Sequence, residues 1–304
     1  MVDIAATQIT HSEWTERAAQ HRSMVKRWTD PYRARRGAHQ AHPVFDFLFS
    51  YYPFSLGKLE QWHPGMGFSL ENSPGATPGY NPRHYQITAE SIRLAPENLA
   101  DKPRQRIAWI HNLLVLTQHR PANFSCFGMH EWAMVYQGNQ AGRPSDIRHR
   151  ESASLRLSQE EIDHIVESHP IACSHFDAFR FFSPAALPFN RLQPSLDARQ
   201  DFEQPGCLHT NMDLYKWASK CMPWVGSDLL WQCFQLALAA RELDMQASPY
   251  DLTRYGYAPI KIETAPGRAE YEKQQREINA RAQPLRQHII DTLALCLIKP
   301  VAEA

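Results

Sequence analysis

Three short stretches set histidines and carboxylates among aromatic and aliphatic neighbours: FSCFGMHEWAMVYQ at 124–137, IACSHFDAFRFF at 171–182 and GCLHTNMDLYKWA at 206–218. If the third is helical from Leu208, His209 and Asp213 stand one turn apart on one face, and Lys216 and Trp217 continue the stripe. A carboxylate one turn from an imidazole can share a metal ion with it or orient it for proton transfer. The plainer reading is a buried histidine satisfied by a neighbouring aspartate. In the second stretch, His175 and Asp177 converge on an extended backbone, where alternate residues share a side, and diverge on a helix. Followed at a distance by His209, the pair matches the two-histidine, one-carboxylate pattern of non-haem iron sites. Arg180 is placed to pair with Asp177 or to receive a substrate anion. In the first stretch His130 and Glu131 are adjacent and so point about 100° apart on a helix, which favours a division of labour. His130 is then a ligand or base and Glu131 the acid/base or the partner that orients a ligand. Met134 and Val135 rule out the HExxH zinc-protease pattern.

Each stretch also carries a cysteine, Cys126, Cys173 or Cys207. Thiolate ligation of zinc is one use for them, and service as small core hydrophobes is the other. Buried polar groups must be paired or ligated, so three such clusters in apolar surroundings are expected to satisfy one another at a shared site. The expectation is a metal-dependent enzyme acting on a small molecule. His130, His175 and His209 are its ligand candidates, Asp177 and Asp213 ligands or catalytic carboxylates, and Glu131 the acid/base. Iron with oxidative chemistry suits the mixed histidine and carboxylate set, and zinc hydrolysis suits it if a cysteine joins. A non-catalytic binding protein whose polar clusters are core networks is an alternative.

Positioning these side chains falls to helices. Apolar periodicity predicts a helix over 12–29 with Ser12 as cap, then others over 43–52, 103–119 and 126–137. In SQEEIDHIVES, Ser158 and Glu161 have capping-box spacing. Further helices are expected over 208–221, 227–245 and 266–298, the last kinked or split at Pro284. Glu242 and Asp244 fall near the end of a helix, where the dipole disfavours negative charge, so they need a cation or solvent. WHPGMG at 62–67 reads as a turn from which His63 can reach a pocket, and YAPIKIET at 257–264 is the clearest strand candidate. The segment ENSPGATPGYNPR at 71–83 is a Pro/Gly-rich loop, and Pro184, Pro188 and Pro194 forbid a long regular element between them. The predicted fold is mainly α, a single helical-bundle-like domain over 1–304 with long proline-rich loops.

Composition narrows the function. Lys plus Arg equals Asp plus Glu at 32 each, so the global basic excess of a phosphate-backbone binder is missing. The basic runs at 26–36 and 143–150 read as solvated faces, with a phosphate-contacting patch as the alternative for each. No window is apolar enough to span a membrane, and no secretory signal is visible at the N-terminus. Six cysteines without CxxC spacing read as reduced thiols, so a cytoplasmic setting is expected. The P-loop, GxGxxG and nucleophile-elbow patterns are absent.

The blocks HPVFDFLFSYYPF, WHPG, CFGMHEWAMVY, ACSHFDAFRFFSP, QPGCLHTNMDLYKWA and ELDMQASPYDL together resemble a bacterial family commonly labelled "3-methyladenine DNA glycosylase", over nearly the whole length. The resemblance implies DNA as partner and excision of alkylated bases. That activity needs an aromatic pocket for an extruded base and a carboxylate to polarise it, roles within reach of Trp132, Phe176, Phe179, Trp217 and Asp177 or Asp213. Substrate contacts in either reading would come from Trp132, Phe176, Arg180, Lys216 and Trp217. The sequence departs from alkyl-base glycosylases of known architecture: no helix-hairpin-helix and no helical repeat array is visible.

Overall fold

The computed structural model describes residues 6–73, 79–138 and 153–298. Thr10 caps the first helix by accepting a hydrogen bond from the Glu13 amide, so α1 runs His11–Gly37, longer at both ends than its sequence pattern predicts. Two short helices follow, α2 (Phe45–Tyr51) and α3 (Leu56–Glu60), then α4 (Asp101–His119) and α5 (Met129–Val135). The Ser158/Glu161 capping box forms as expected and opens α6 (Gln159–Ser168). Next come α7 (Phe176–Phe179), α8 (Arg199–Phe202), α9 (Leu208–Lys220), α10 (Ser227–Gln246) and α11 (Ala265–Leu297). The mainly helical expectation holds, but the chain is not a pure bundle.

A four-stranded sheet flanks the helices. Its strands β1 (Thr7–Ile9), β2 (Phe68–Glu71), β3 (Tyr85–Ile87) and β4 (Ser91–Leu94) lie in the order β1-β2-β4-β3. β1 is parallel to β2 and the other pairs are antiparallel, with Leu70 opposite Ile92 on the buried face. YAPIKIET forms no strand. Pro259 removes a ladder donor, the Ile260 amide goes to Gln246, and Lys261 O lies where a side chain on Gly267 of α11 would stand. Pro284 does not split α11 either. One proline deletes one amide donor, and the buried row Ala282, Arg286, Ile289 and Leu293 holds the helix in place across it. The basic run 26–36 lies on α1, where Arg33 meets Glu60 at 2.6 Å and Arg35 pairs with Asp46; the run 143–150 lies outside the described residues. Of the 71–83 loop, Glu71 ends β2 and 74–78 lie outside the described residues.

The core sits between α9 and α10. α9 is buried on almost every side, with α10 packed along it, α11 laid across both and α4 against α11. The Trp28, Phe49, Tyr215, Trp231 and Phe234 rings fill the space from α1 to α10, with Trp28 and Tyr215 edge-to-face on Phe234, Phe49 tilted against it and Trp231 stacked on it. This central pair carries the polar residues of interest. Among the described residues, no helix is long and apolar enough to cross a membrane.

Candidate metal centre

His209 and Asp213 both come from α9, one turn apart as predicted, yet their side chains part company. His209 turns toward the end of α10 and toward α5; Asp213 turns toward the loop entering α7. The result is two groups of donors, His130 with His209 and Asp244, and His175 with Glu203 and Asp213, each with its ligating atoms within 4.8 Å of one another.

In the first group His130 Nε2 lies 2.7 Å from Asp244 Oδ1, and His209 Nε2 is 3.9 Å from Asp244 Oδ2, beyond hydrogen-bond reach. The two imidazoles meet edge-to-face at 4.5 Å. Arg241, one turn before Asp244 on α10, donates to Asp244 Oδ2 at 2.9 Å and to Glu131 Oε1 at 3.0 Å. Glu131 Oε2 is buried without a hydrogen-bond partner. Burial alone lowers the pKa of His130, but the Asp244 carboxylate and the Cys126 thiol outweigh it and raise the value well above the usual range. Asp244 moves the opposite way: burial favours its neutral form, and His130, His209 and Arg241 hold it ionised well below the ordinary carboxylate value. His209 is pushed down to about 3, first by burial and then by the charge on His130. It is a neutral imidazole with a free lone pair at ordinary pH, the state a metal ligand needs.

The second group is already neutralised by cations. His175 Nε2 approaches Asp213 Oδ2 at 3.3 Å and Glu203 Oε1 at 3.6 Å. Arg199 donates to Glu203 at 2.9 Å, Lys216 Nζ to Asp213 at 2.9 Å, and the Tyr52 hydroxyl to Asp213 at 3.0 Å. Glu203 is raised by burial, against the pull of His175 and Arg199. His175 Nδ1 is buried and unpaired. The two groups adjoin, because the His175 and His209 rings lie 5.6 Å apart. All three predicted histidines therefore gather in one buried region.

Other predicted site residues are placed differently. Asp177 belongs to neither donor group. His175 precedes α7 in extended conformation, without a side-chain capping bond, while Asp177 lies inside that helix, so the pair diverges, and Asp177 binds Lys216 at 2.6 Å, Arg180 at 3.2 Å and Arg199. Burial raises its pKa, but Lys216 and then Arg199 bring it down to about 2. Arg180 is thus engaged by Asp177. Trp132 is fully buried, donates its indole N–H to Ala247 O at 2.9 Å and has the Arg156 guanidinium 5.0 Å above its ring, so it is a wall and not a free stacking surface. Trp217 is buried under Lys216, and Phe176 is half-buried beneath Arg180 and Arg199. No cysteine joins either donor group among the described residues. Cys126 Sγ lies 3.6 Å from His130 Nδ1, on the opposite ring nitrogen from Asp244. Its thiol is pulled down by a hydrogen bond with Cys173, against burial, while burial pushes Cys207 up to about 11.

Compared with family models, curated proteins and solved structures, the chain matches none of them. The chemistry must therefore be read from the site itself. Asp244, Glu203, Arg241, Arg199 and Tyr52 are participants that local spacing did not assign to the site. One signal did exist for Asp244: an acid near the C-terminal end of a helix needs a cation, and two supply it, Arg241 and His130.

Proposed function

We propose that the chain is a metal-dependent enzyme acting on a small molecule, with its ion held by His130, His209 and Asp244. The supporting observation is His209, a buried and neutral imidazole that faces a carboxylate and a second imidazole from two other helices without hydrogen-bonding to either. Neighbouring ligands on a metal at about 2.1 Å lie about 3 Å apart. The 2.7 and 3.9 Å separations to Asp244 bracket that spacing. Two imidazoles and one carboxylate, with no thiolate among them, is the donor set that favours iron and oxidative chemistry over a structural zinc. A bound ion of this kind supplies Lewis acidity and, as iron, a site for oxygen chemistry.

The protein's own residues do the rest. Arg241 holds Asp244 and Glu131 together and fixes the carboxylate that carries the negative charge of the site. Glu131 is anchored through Oε1 by Arg241, and its Oε2 is left without a protein partner beside the site. Glu131 and Asp244 bring two negative charges, Arg241 one positive charge and His130 a proton, so a dication entering here takes the place of the His130 proton. Affinity for the ion should therefore rise about tenfold per pH unit below the His130 pKa, with one proton released on binding, which calorimetry in buffers of different ionisation enthalpy reads directly.

Elemental analysis of freshly purified protein tests the reading. A stoichiometric transition metal that His209→Ala loses while remaining folded supports it, and metal-free protein that is catalytically active refutes it. The glycosylase alternative draws on the resemblance alone, and the engaged indole of Trp132 gives it no stacking surface there.

A further inference from the structure

A cleft of about 530 Å³ opens where α3, α4 and the end of α9 meet Gly79, Asn81 and His84, just before β3. Lys58 of α3, Arg106 of α4, and Lys216 and Lys220 of α9 line it together with His63 and His84, and no carboxylate does. Lys216 is spoken for by Asp177 and Asp213, but Lys58, Arg106 and Lys220 have no carboxylate within ion-pair distance among the described residues. Exposed lysines and arginines on a convex face need no explanation. Three cations without a carboxylate partner, brought by three separate helices into one concave space of a chain with no net charge, repel one another, and the one ring contact among them, Lys220 Nζ at 5.9 Å from the Trp217 centroid, does not neutralise that charge. The repulsion is visible at Lys220, whose pKa is lowered by burial and then by Lys216 and Arg106.

We propose that this cleft binds a small phosphomonoester, its phosphate seated among Lys58, Arg106 and Lys220. A carboxylate is planar, carries one charge and is satisfied by a single guanidinium. A phosphate dianion offers three terminal oxygens that can be met from several directions, as three cations on different helices require. The volume lies within the range of small-molecule pockets and leaves room for an organic portion beyond the phosphate. Tyr52 and Lys216 form part of the cleft wall and also bind Asp213, which touches His175. The phosphate seat is therefore one carboxylate removed from the histidines. It requires no metal.

The test uses the full chain after chelator treatment, so that failure here is separable from failure of the metal reading. Ribose 5-phosphate, inorganic phosphate, ribose and a single-stranded oligonucleotide are titrated calorimetrically. The expected result is saturable binding of ribose 5-phosphate, tighter than inorganic phosphate, with none for ribose. Binding should weaken at least tenfold in R106Q/K220Q and stay unchanged in R281Q, an exposed cation on α11. The side chains of Arg106 and Lys220 are exposed, so the double variant should retain the parent melting temperature. Absence of saturable binding, equal or tighter binding of inorganic phosphate, or affinity unaltered in R106Q/K220Q overturns the proposal. Preference for the oligonucleotide with a steep salt dependence overturns it in favour of a nucleic-acid surface.

Discussion

At the scale of single residues, Asp244 is the pivot. It is fully buried, and three cationic or polar side chains, His130, His209 and Arg241, converge on it. Removing one member of a buried ion network leaves the others uncompensated, at about 3–5 kcal/mol. Asp244→Ala should therefore lower the urea midpoint of unfolding by that equivalent, and a cost below about 1 kcal/mol would show that the network is hydrated instead. His209 gives a pH prediction for metal-stripped protein. Its folded pKa of about 3 lies below its unfolded value, so the unfolded chain binds the extra proton and stability falls as pH drops below about 6.5, by up to about 1.4 kcal/mol per unit. His130 works in the other direction. Its folded pKa is raised, so its contribution is complete below the unfolded value and is lost as pH climbs through the folded one. His209→Gln should flatten the acid side by one proton's worth of slope; urea melts between pH 4 and 7 with identical slopes for parent and variant would dismiss this account. The histidines were legible because imidazoles inside aromatic runs demand partners. Glu203, Arg199 and Arg241 were not: Arg199 with Glu203 and Arg241 with Asp244 have ordinary helical ion-pair spacing that any exposed helix face shows, and the contacts that bring them to the site, with His175, Asp177 and Glu131, lie 22 to 110 residues away.

At the scale of elements, the joint between the WHPG turn and α10 sets the geometry around the phosphate cleft. Gly226 at the head of α10 has φ +75°, and a Cβ there would stand 2.9 Å from Pro64 O and 3.0 Å from Gly65 Cα. The Ser227 amide bonds His63 O and the Ser227 hydroxyl accepts from the His63 amide, both at 2.9 Å, so turn and helix are clasped. Gly226→Ala meets both backbone strain and overlap, and should cost about 1–3 kcal/mol in thermal unfolding, with ribose 5-phosphate binding weakened because His63 is displaced. Wild-type melting and binding would mean the clasp yields freely. Helices α6, α9 and α10 were readable to within a residue or two, since caps and long apolar periods are local. The sheet was not: strands of three or four residues carry too little alternation to stand out, and β1 sits in a polar run whose pairing with β2 lies 61 residues further on, from Thr7 to Phe68.

At the scale of the whole molecule, one core joins all these parts. α9 and α10 lie at its centre with α11 outside them, so their amides should exchange with solvent most slowly and open only with global unfolding. Hydrogen exchange that protects β1 to β4 more than α9 would place the stable centre elsewhere. The proposed ion ligands are drawn from α5, α9 and α10, with Asp244 standing 114 residues beyond His130. That spread bears on biosynthesis. Whatever is captured between these side chains cannot be held by all three while α10 is still inside the ribosome, so a nascent chain that has emerged only through α9 presents His130 and His209 without the carboxylate that completes the set.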